Sequence, residues 1–161
     1  MAVHAVANLA GLRTNHTIAV WGAGPIGLLC MATAKALGAS RVIAVDIQPS
    51  RLEFAKSYAA TQTFLPPASL PNETKSAHSR RTAEAMREQL GIEERGPKSI
   101  DIVVDASGAE LSIQTAIHIV KAGGTYIQAC LTLNPSLCFA NQLVDWNGNR
   151  GSPNPYNHAI G

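Results

Sequence analysis

The sequence predicts an α/β fold: a parallel sheet with helices on its faces. Three observations lead there. Short runs rich in β-branched and other apolar residues recur at 17–21, 42–46, 61–65, 100–106 and 125–129. Stretches of helical composition separate them, so successive strands are joined by crossovers rather than hairpins. The strongest runs are apolar without alternation, which suits strands covered on both faces.

The elements follow in order. Residues 2–10 read as a short helix, apolar on most faces, which some other surface is expected to cover. The first strand is 17–21. A helix runs from about Pro25 to Leu37, with Pro25 tolerated in its first turn and Gly38 as its C-cap. A second strand at 42–46 precedes a helix opening at Pro49 or Ser50 and reaching Tyr58. A short third strand occupies 61–65, and Pro66, Pro67 and Pro71 mark a loop. An exposed helix spans about 76–90 and ends at Gly91. The fourth strand is 100–106 and the next helix 110–120. Gly123 and Gly124 then turn the chain into a fifth strand at 125–129. The pattern stops near Cys130, and the asparagine-rich stretch 134–161 is expected to be a poorly ordered tail. The division is therefore a helix and linker at 1–16, an α/β domain at 17–130 and a divergent tail at 131–161.

With 161 residues, 46% of them apolar, the chain can bury the core of one ordinary domain. A formal charge of +2 leaves no concentrated basic surface, so nucleic acid is not an expected partner. Arg80, Arg81 and Arg87 alternate with Glu84 and Glu88 and read as a solvated helix face. Cys30, Cys130 and Cys138 form no CxxC and are odd in number, which excludes a disulfide framework and a four-cysteine zinc knot within the chain. A reduced, cytoplasmic setting is expected. No charged leader precedes an apolar stretch at the N-terminus. Residues 14–34 are long and uncharged enough to resemble a membrane span, but three glycines and Pro25 inside them fit strand, turn and helix instead.

That turn is the most informative stretch. Gly22, Gly24 and Gly27 satisfy G-x-G-x-x-G between a strand and a helix. The first glycine permits a tight turn, the second lets a diphosphate approach the backbone, and the third lets the helix pack closely on the strand. The helix N-terminus offers free N–H groups to the phosphates. Asp46 closes the second strand, 24 residues after Gly22. Its carboxylate suits the hydroxyls of an adenosine ribose and repels the extra phosphate of NADP. Together these predict a Rossmann-like sheet that binds NAD.

The segments Val3-His-Ala-Val-Ala, Gly22-Ala-Gly-Pro-Ile-Gly-Leu28, Ala34-Lys-Ala-Leu-Gly-Ala39, Asp46-Ile-Gln-Pro-Ser-Arg-Leu-Glu-Phe-Ala55, Asp105-Ala-Ser-Gly108 and Gly123-Gly-Thr-Tyr-Ile-Gln128 carry a resemblance. The chain is similar, over roughly residues 3–129, to the coenzyme domain of zinc-containing medium-chain alcohol and polyol dehydrogenases. Within them it looks most like the fungal xylitol, sorbitol and arabinitol branch. The resemblance implies that Gly22, Gly24, Pro25 and Gly27 hold the dinucleotide and that Ile26 packs beside its nicotinamide half. It further implies that Asp46 selects NAD, that Arg51 lies beside the adenine and that Ser107 lies close to the cofactor. His4 matches a histidine of the helix leading into the coenzyme domain; it is expected in the core or near the cofactor, not on zinc.

The resemblance also implies departures. In the family a preceding domain supplies the cysteine, histidine and glutamate around a catalytic zinc, and none of these has a counterpart here. No catalytic or metal-ligating residue is therefore assigned. Cys130 and Thr132 stand where the family has two glycines near the nicotinamide, and the sixth strand is unrecognisable, so the sheet is expected to be incomplete. Full-length relatives would oxidise a secondary hydroxyl of xylitol, sorbitol or arabinitol, with zinc stabilising the alkoxide while hydride passes to NAD. The expectation is a dehydrogenase truncated at both ends and inactive alone. The alternatives are a non-enzymatic nucleotide-binding or interaction remnant and an unstable fragment. An apolar N-terminal helix and an open sheet edge would favour self-association.

Overall fold

Every residue of β1 (Thr17–Trp21) is buried, as a run without polar alternation suits in a central strand covered on both faces. A computed structural model describes residues 2–129 and sets β1 in the middle of a five-stranded, wholly parallel sheet. The other strands are β2 (Arg41–Val45), β3 (Gln62–Phe64), β4 (Ile100–Asp105) and β5 (Val120–Gln128), in the order β3-β2-β1-β4-β5. The chain moves outward through β2 and β3, then crosses back to place β4 on the other side of β1. That reversal opens a crevice at the carboxyl ends of β1 and β4. This is the Rossmann-like arrangement that the alternation predicts.

Helices cover both faces. The α1 helix (Pro25–Ala36) buries Gly27, Cys30, Met31 and Ala34, a spacing of three and four residues that lays one stripe on the sheet. It packs with α2 (Pro49–Tyr58) against the face formed by Ile18, Val20, Val42, Ala44, Ile102 and Val104. The opposite face, with Ala19, Trp21, Ile43, Val45 and Val103, lies under Ala83 and Met86 of α3 (Lys75–Leu90) and Ala116 and Ile119 of α4 (Glu110–Ile119). Alternate residues of one strand thus feed two cores. Cys30 is fully buried, and burial pushes its thiol up from the ordinary value. Among the described residues no helix is long and apolar enough to cross a membrane.

The structure revises several expectations. The N-terminal helix is a π-helix over His4–Leu9, closed by Ala10 N–H donating to the Ala5 carbonyl at 2.9 Å. Its inner side is covered by this same domain: Ala2, Val6 and Ala10 join the core beside Met31 and Ala34. Only Val3 and Leu9 of its large apolar side chains stay exposed. His4 is also exposed and bonds to Asn8 at 3.1 Å, which removes it from the core. The turn expected at Gly123–Gly124 lies inside β5. Val120 pairs with Ile100 and Thr125 with Ile102, so extra β5 residues bulge out between them. A Cβ on Gly124 would sit 2.8 Å from the Asp101 carbonyl oxygen, which explains a residue without one. Arg81 is not loosely solvated; it grips both oxygens of Glu73 at 2.8 Å. That grip holds the Glu73 carboxyl down at about 2. The expectations for the tail, for Cys130, Cys138 and Thr132 and for a missing sixth strand lie outside the described residues.

Candidate functional site

The glycine turn sits where the topology opens the crevice. The Gly22 N–H donates to the Val45 carbonyl at 2.7 Å and the Ala106 N–H to the Trp21 carbonyl at 2.8 Å. The turn is thereby fixed between the ends of β2 and β4. Gly22 has a φ of +89°, and a Cβ there would lie 3.1 Å from the Ala106 and Ser107 backbone. Both facts demand glycine. A Cβ on Gly27 would lie only 1.8 Å from the Gly22 carbonyl oxygen, whereas one on Gly24 would meet nothing within 4 Å. The three glycines therefore answer different demands: a left-handed turn, an open approach to backbone, and close helix packing.

Above Gly24 lies the N-terminus of α1. Gly24 is its N-cap, no side chain caps it, and Pro25 opens it. The first N–H groups of a helix have no partner within it, so those of Ile26 and Gly27 are free of the helix ladder. Open space over Gly24, uncapped amides and a favourable helix dipole form a cradle for an anionic group such as a diphosphate. The residues present fit the group that the motif implies.

Asp46 borders this cradle from the end of β2. It is buried and accepts the Ala23 N–H on Oδ2 at 2.8 Å and the Gln48 N–H on Oδ1 at 2.9 Å. A carboxylate has about four lone-pair directions, so roughly two remain beyond these two bonds. Arg51, half-exposed on α2, brings Nη1 to 3.8 Å from Asp46 Oδ2. Ile26 stands in the first turn of α1, partly buried against the core.

Ser107 occupies the loop after β4, and its hydroxyl is engaged within that loop. It donates to Asp105 Oδ1 at 2.7 Å and lies 2.8 Å from Ser112 Oγ. Asp105 is fully buried at the end of β4 and also accepts the Ser107 N–H. Burial raises its carboxyl above the ordinary value, against the lowering effect of these bonds. Gly22, Gly24, Pro25, Ile26, Gly27 and Asp46 thus gather around one crevice. Arg51 leans on its Asp46 side, and Ser107 shapes the loop that Gly22 touches.

One surface feature next to Asp46 has no counterpart among the motifs of the sequence. A mostly apolar groove of about 540 Å³ lies beyond Asp46, lined by Ile47, Leu65, Pro66, Pro67, His78 and Leu111 among others. Its wall is pinned: His78 Nε2 bonds the Pro67 carbonyl at 2.8 Å, and Arg81 donates to the Ala68 carbonyl at 2.8 Å. Ile47, 76% exposed directly after Asp46, is the one local signal that could have pointed to it. Among the described residues no three His, Cys, Asp or Glu side chains come together to hold a metal ion.

The family model for zinc-binding dehydrogenases matches residues 25–147. This chain belongs to that family. D-xylulose reductase A of Aspergillus niger is 47% identical over 128 residues, which are 80% of this chain and 32% of that protein. The chain spans about a third of the length of the curated relatives it matches. Among solved structures, alcohol dehydrogenase TADH from Thermus sp. ATN1 superposes with a TM-score of 0.65 at 26% identity, covering 87% of this chain and 36% of that one. A Sinorhizobium meliloti 1021 chain, named as a zinc-binding dehydrogenase and bound to NADP, superposes with a TM-score of 0.64 at 26% identity, covering 81% and 34%. The Rossmann-like sheet described above is therefore a fold that this chain shares with these dehydrogenases.

Proposed function

We propose that residues 17–129 form the NAD-binding part of a polyol dehydrogenase acting on a secondary hydroxyl of a substrate such as xylitol, sorbitol or arabinitol. The observation that carries the reading is the cradle at Gly24: open space over an uncapped helix N-terminus, bordered by a carboxylate. The relative named D-xylulose reductase A supports the substrate class. The Gly22–Gly27 turn holds the diphosphate through backbone N–H groups. Asp46 accepts the adenosine ribose hydroxyls, and its negative charge opposes a 2′-phosphate, which favours NAD over NADP. The apolar groove beside Ile47 takes the adenine, Arg51 lies beside Asp46 on that side of the site, and Ile26 packs against the nicotinamide half. When bound, NAD supplies the carbon that accepts hydride. These residues hold and orient it; proton removal from the hydroxyl falls to groups outside the described residues. The 161-residue chain by itself binds NAD without oxidising polyols.

Calorimetric titration of the chain with NAD and NADP tests the reading. Tighter binding of NAD is expected, and Asp46→Ser should narrow the preference. Equal or tighter binding of NADP to the unaltered chain would sink the assignment of Asp46.

A further inference from the structure

Asp46 holds the turn as well as facing the ribose. The peptide between Gly22 and Ala23 is flanked by glycines at 22 and 24, so its orientation is intrinsically soft. The preceding peptide is held to the end of β2 by Gly22 N–H donating to the Val45 carbonyl at 2.7 Å, and this one by Ala23 N–H donating to Asp46 Oδ2 at 2.8 Å. The second is buried, and its acceptor is itself steadied by the Gln48 N–H on the other oxygen. The Ala23 side chain lies in the core, which anchors its Cα and leaves the bond to Asp46 to set the direction of the N–H. From this geometry we infer that Asp46 is a positioning residue for the diphosphate cradle, acting through the Ala23 N–H and independently of any contact with the ribose. The inference rests on the proposed NAD binding and adds a second role to a residue otherwise read only as a specificity determinant.

The sign of one effect makes the role testable. Asp46 carries negative charge beside a site for an anion. Removing that charge strengthens anion binding if electrostatics alone operates. Removing the acceptor weakens binding if the cradle depends on it. The probe is an NAD analogue whose adenosine ribose lacks both hydroxyls, which takes the ribose contact out of the comparison.

Calorimetric titration of the full chain with NAD and with this analogue is compared for the unaltered protein, Asp46→Ala and Asp46→Asn. Asp46→Ala should weaken the analogue about tenfold, the scale of one charge-assisted hydrogen bond. Asp46→Asn should weaken it less, because its amide oxygen can still accept the Ala23 N–H. Amide hydrogen exchange, read without nucleotide, should quicken at Ala23 in both variants and stay unchanged at Ile43 and Val103, which separates local loosening from general instability. Should Asp46→Ala not fold, Asp46→Asn decides by the same two readouts. Unchanged or tighter binding of the analogue by the folded variant, or unchanged exchange at Ala23, overturns the inference while leaving NAD binding in place. An unaltered chain that binds neither compound overturns both.

Discussion

Gly27→Ala and Gly24→Ala differ by one methyl each, yet the structure assigns them opposite consequences. At Gly27 the added carbon would stand 1.8 Å from the Gly22 carbonyl oxygen, where ordinary contact begins at 3.4 Å. The α1 helix or the turn must give way by about 1.6 Å, the difference between those distances. Both are backbone, so no rotamer change relieves the clash. The helix also carries Cys30, Met31 and Ala34, all fully buried, and shifting it disturbs the core on that face. Overpacking costs about 1–3 kcal/mol, occasionally more, and a backbone-to-backbone clash belongs at or above the upper end. At Gly24 the same methyl meets nothing within 4 Å, and the residue has φ −80° and ψ −176°, open to any amino acid. Losing a glycine N-cap costs several tenths of a kcal/mol, and reducing the freedom of the unfolded chain offsets about as much. The net change should stay within about 0.5 kcal/mol, but the methyl occupies the space where the proposed diphosphate would lie. Urea unfolding followed by tryptophan fluorescence, paired with NAD titration, separates the two. Gly27→Ala should lose about 3 kcal/mol of stability. Gly24→Ala should unfold like the unaltered chain and lose at least about tenfold in NAD affinity, as a displaced ligand does. A Gly27→Ala protein of unchanged midpoint would refute the packing argument. A Gly24→Ala protein that binds NAD normally would refute the cradle.

Other outcomes follow from the same structure. Val6→Ala, which removes a fully buried side chain, should destabilise the chain by roughly 1–2 kcal/mol. Val3→Ala, on the exposed side of the same helix, should change it by less than about 0.5 kcal/mol; equal effects in urea titrations would contradict the burial of this helix. Burial raises the Asp101 carboxyl, but Lys121, the Thr17 N–H and nearby positive charge outweigh it and leave it below the ordinary 3.8. A lowered folded value stabilises above the unfolded value, and this contribution is lost as pH falls through the folded one. Asp101→Asn should therefore lose stability at neutral pH and show a shallower decline below about pH 4, read by acid titration of the urea midpoint. NADH formation by the isolated chain with xylitol, sorbitol or arabinitol should stay at the blank rate with or without added zinc; turnover abolished by chelation would overturn that expectation.

Much of the fold was legible because its signals are local. The first four strands follow, to within a residue or two, from short apolar runs, and the helix ends from Pro25, Pro49, Gly38 and Gly91. The glycine turn needs only six consecutive residues. Asp46 was legible as a residue because it closes a strand at a fixed distance from that turn. Its hydrogen bond to Ala23 was not, since it joins residues 23 positions apart whose approach depends on how β1 and β2 are paired.

The order of the elements, the glycine turn and the anionic residue at the end of the second strand are written locally in the chain, because each depends on a few neighbouring side chains and on backbone sterics. The tertiary structure decided what no window of residues contains. It buried one side of the N-terminal helix on this domain's own core, left His4 exposed and carried β5 through Gly123 and Gly124 as a bulge against Asp101. It also gathered Ile47, Leu65, Pro66 and Leu111 from three separate stretches into one groove. Each of these turns on which surfaces meet once the sheet has closed, and that is a property of the packing rather than of any segment.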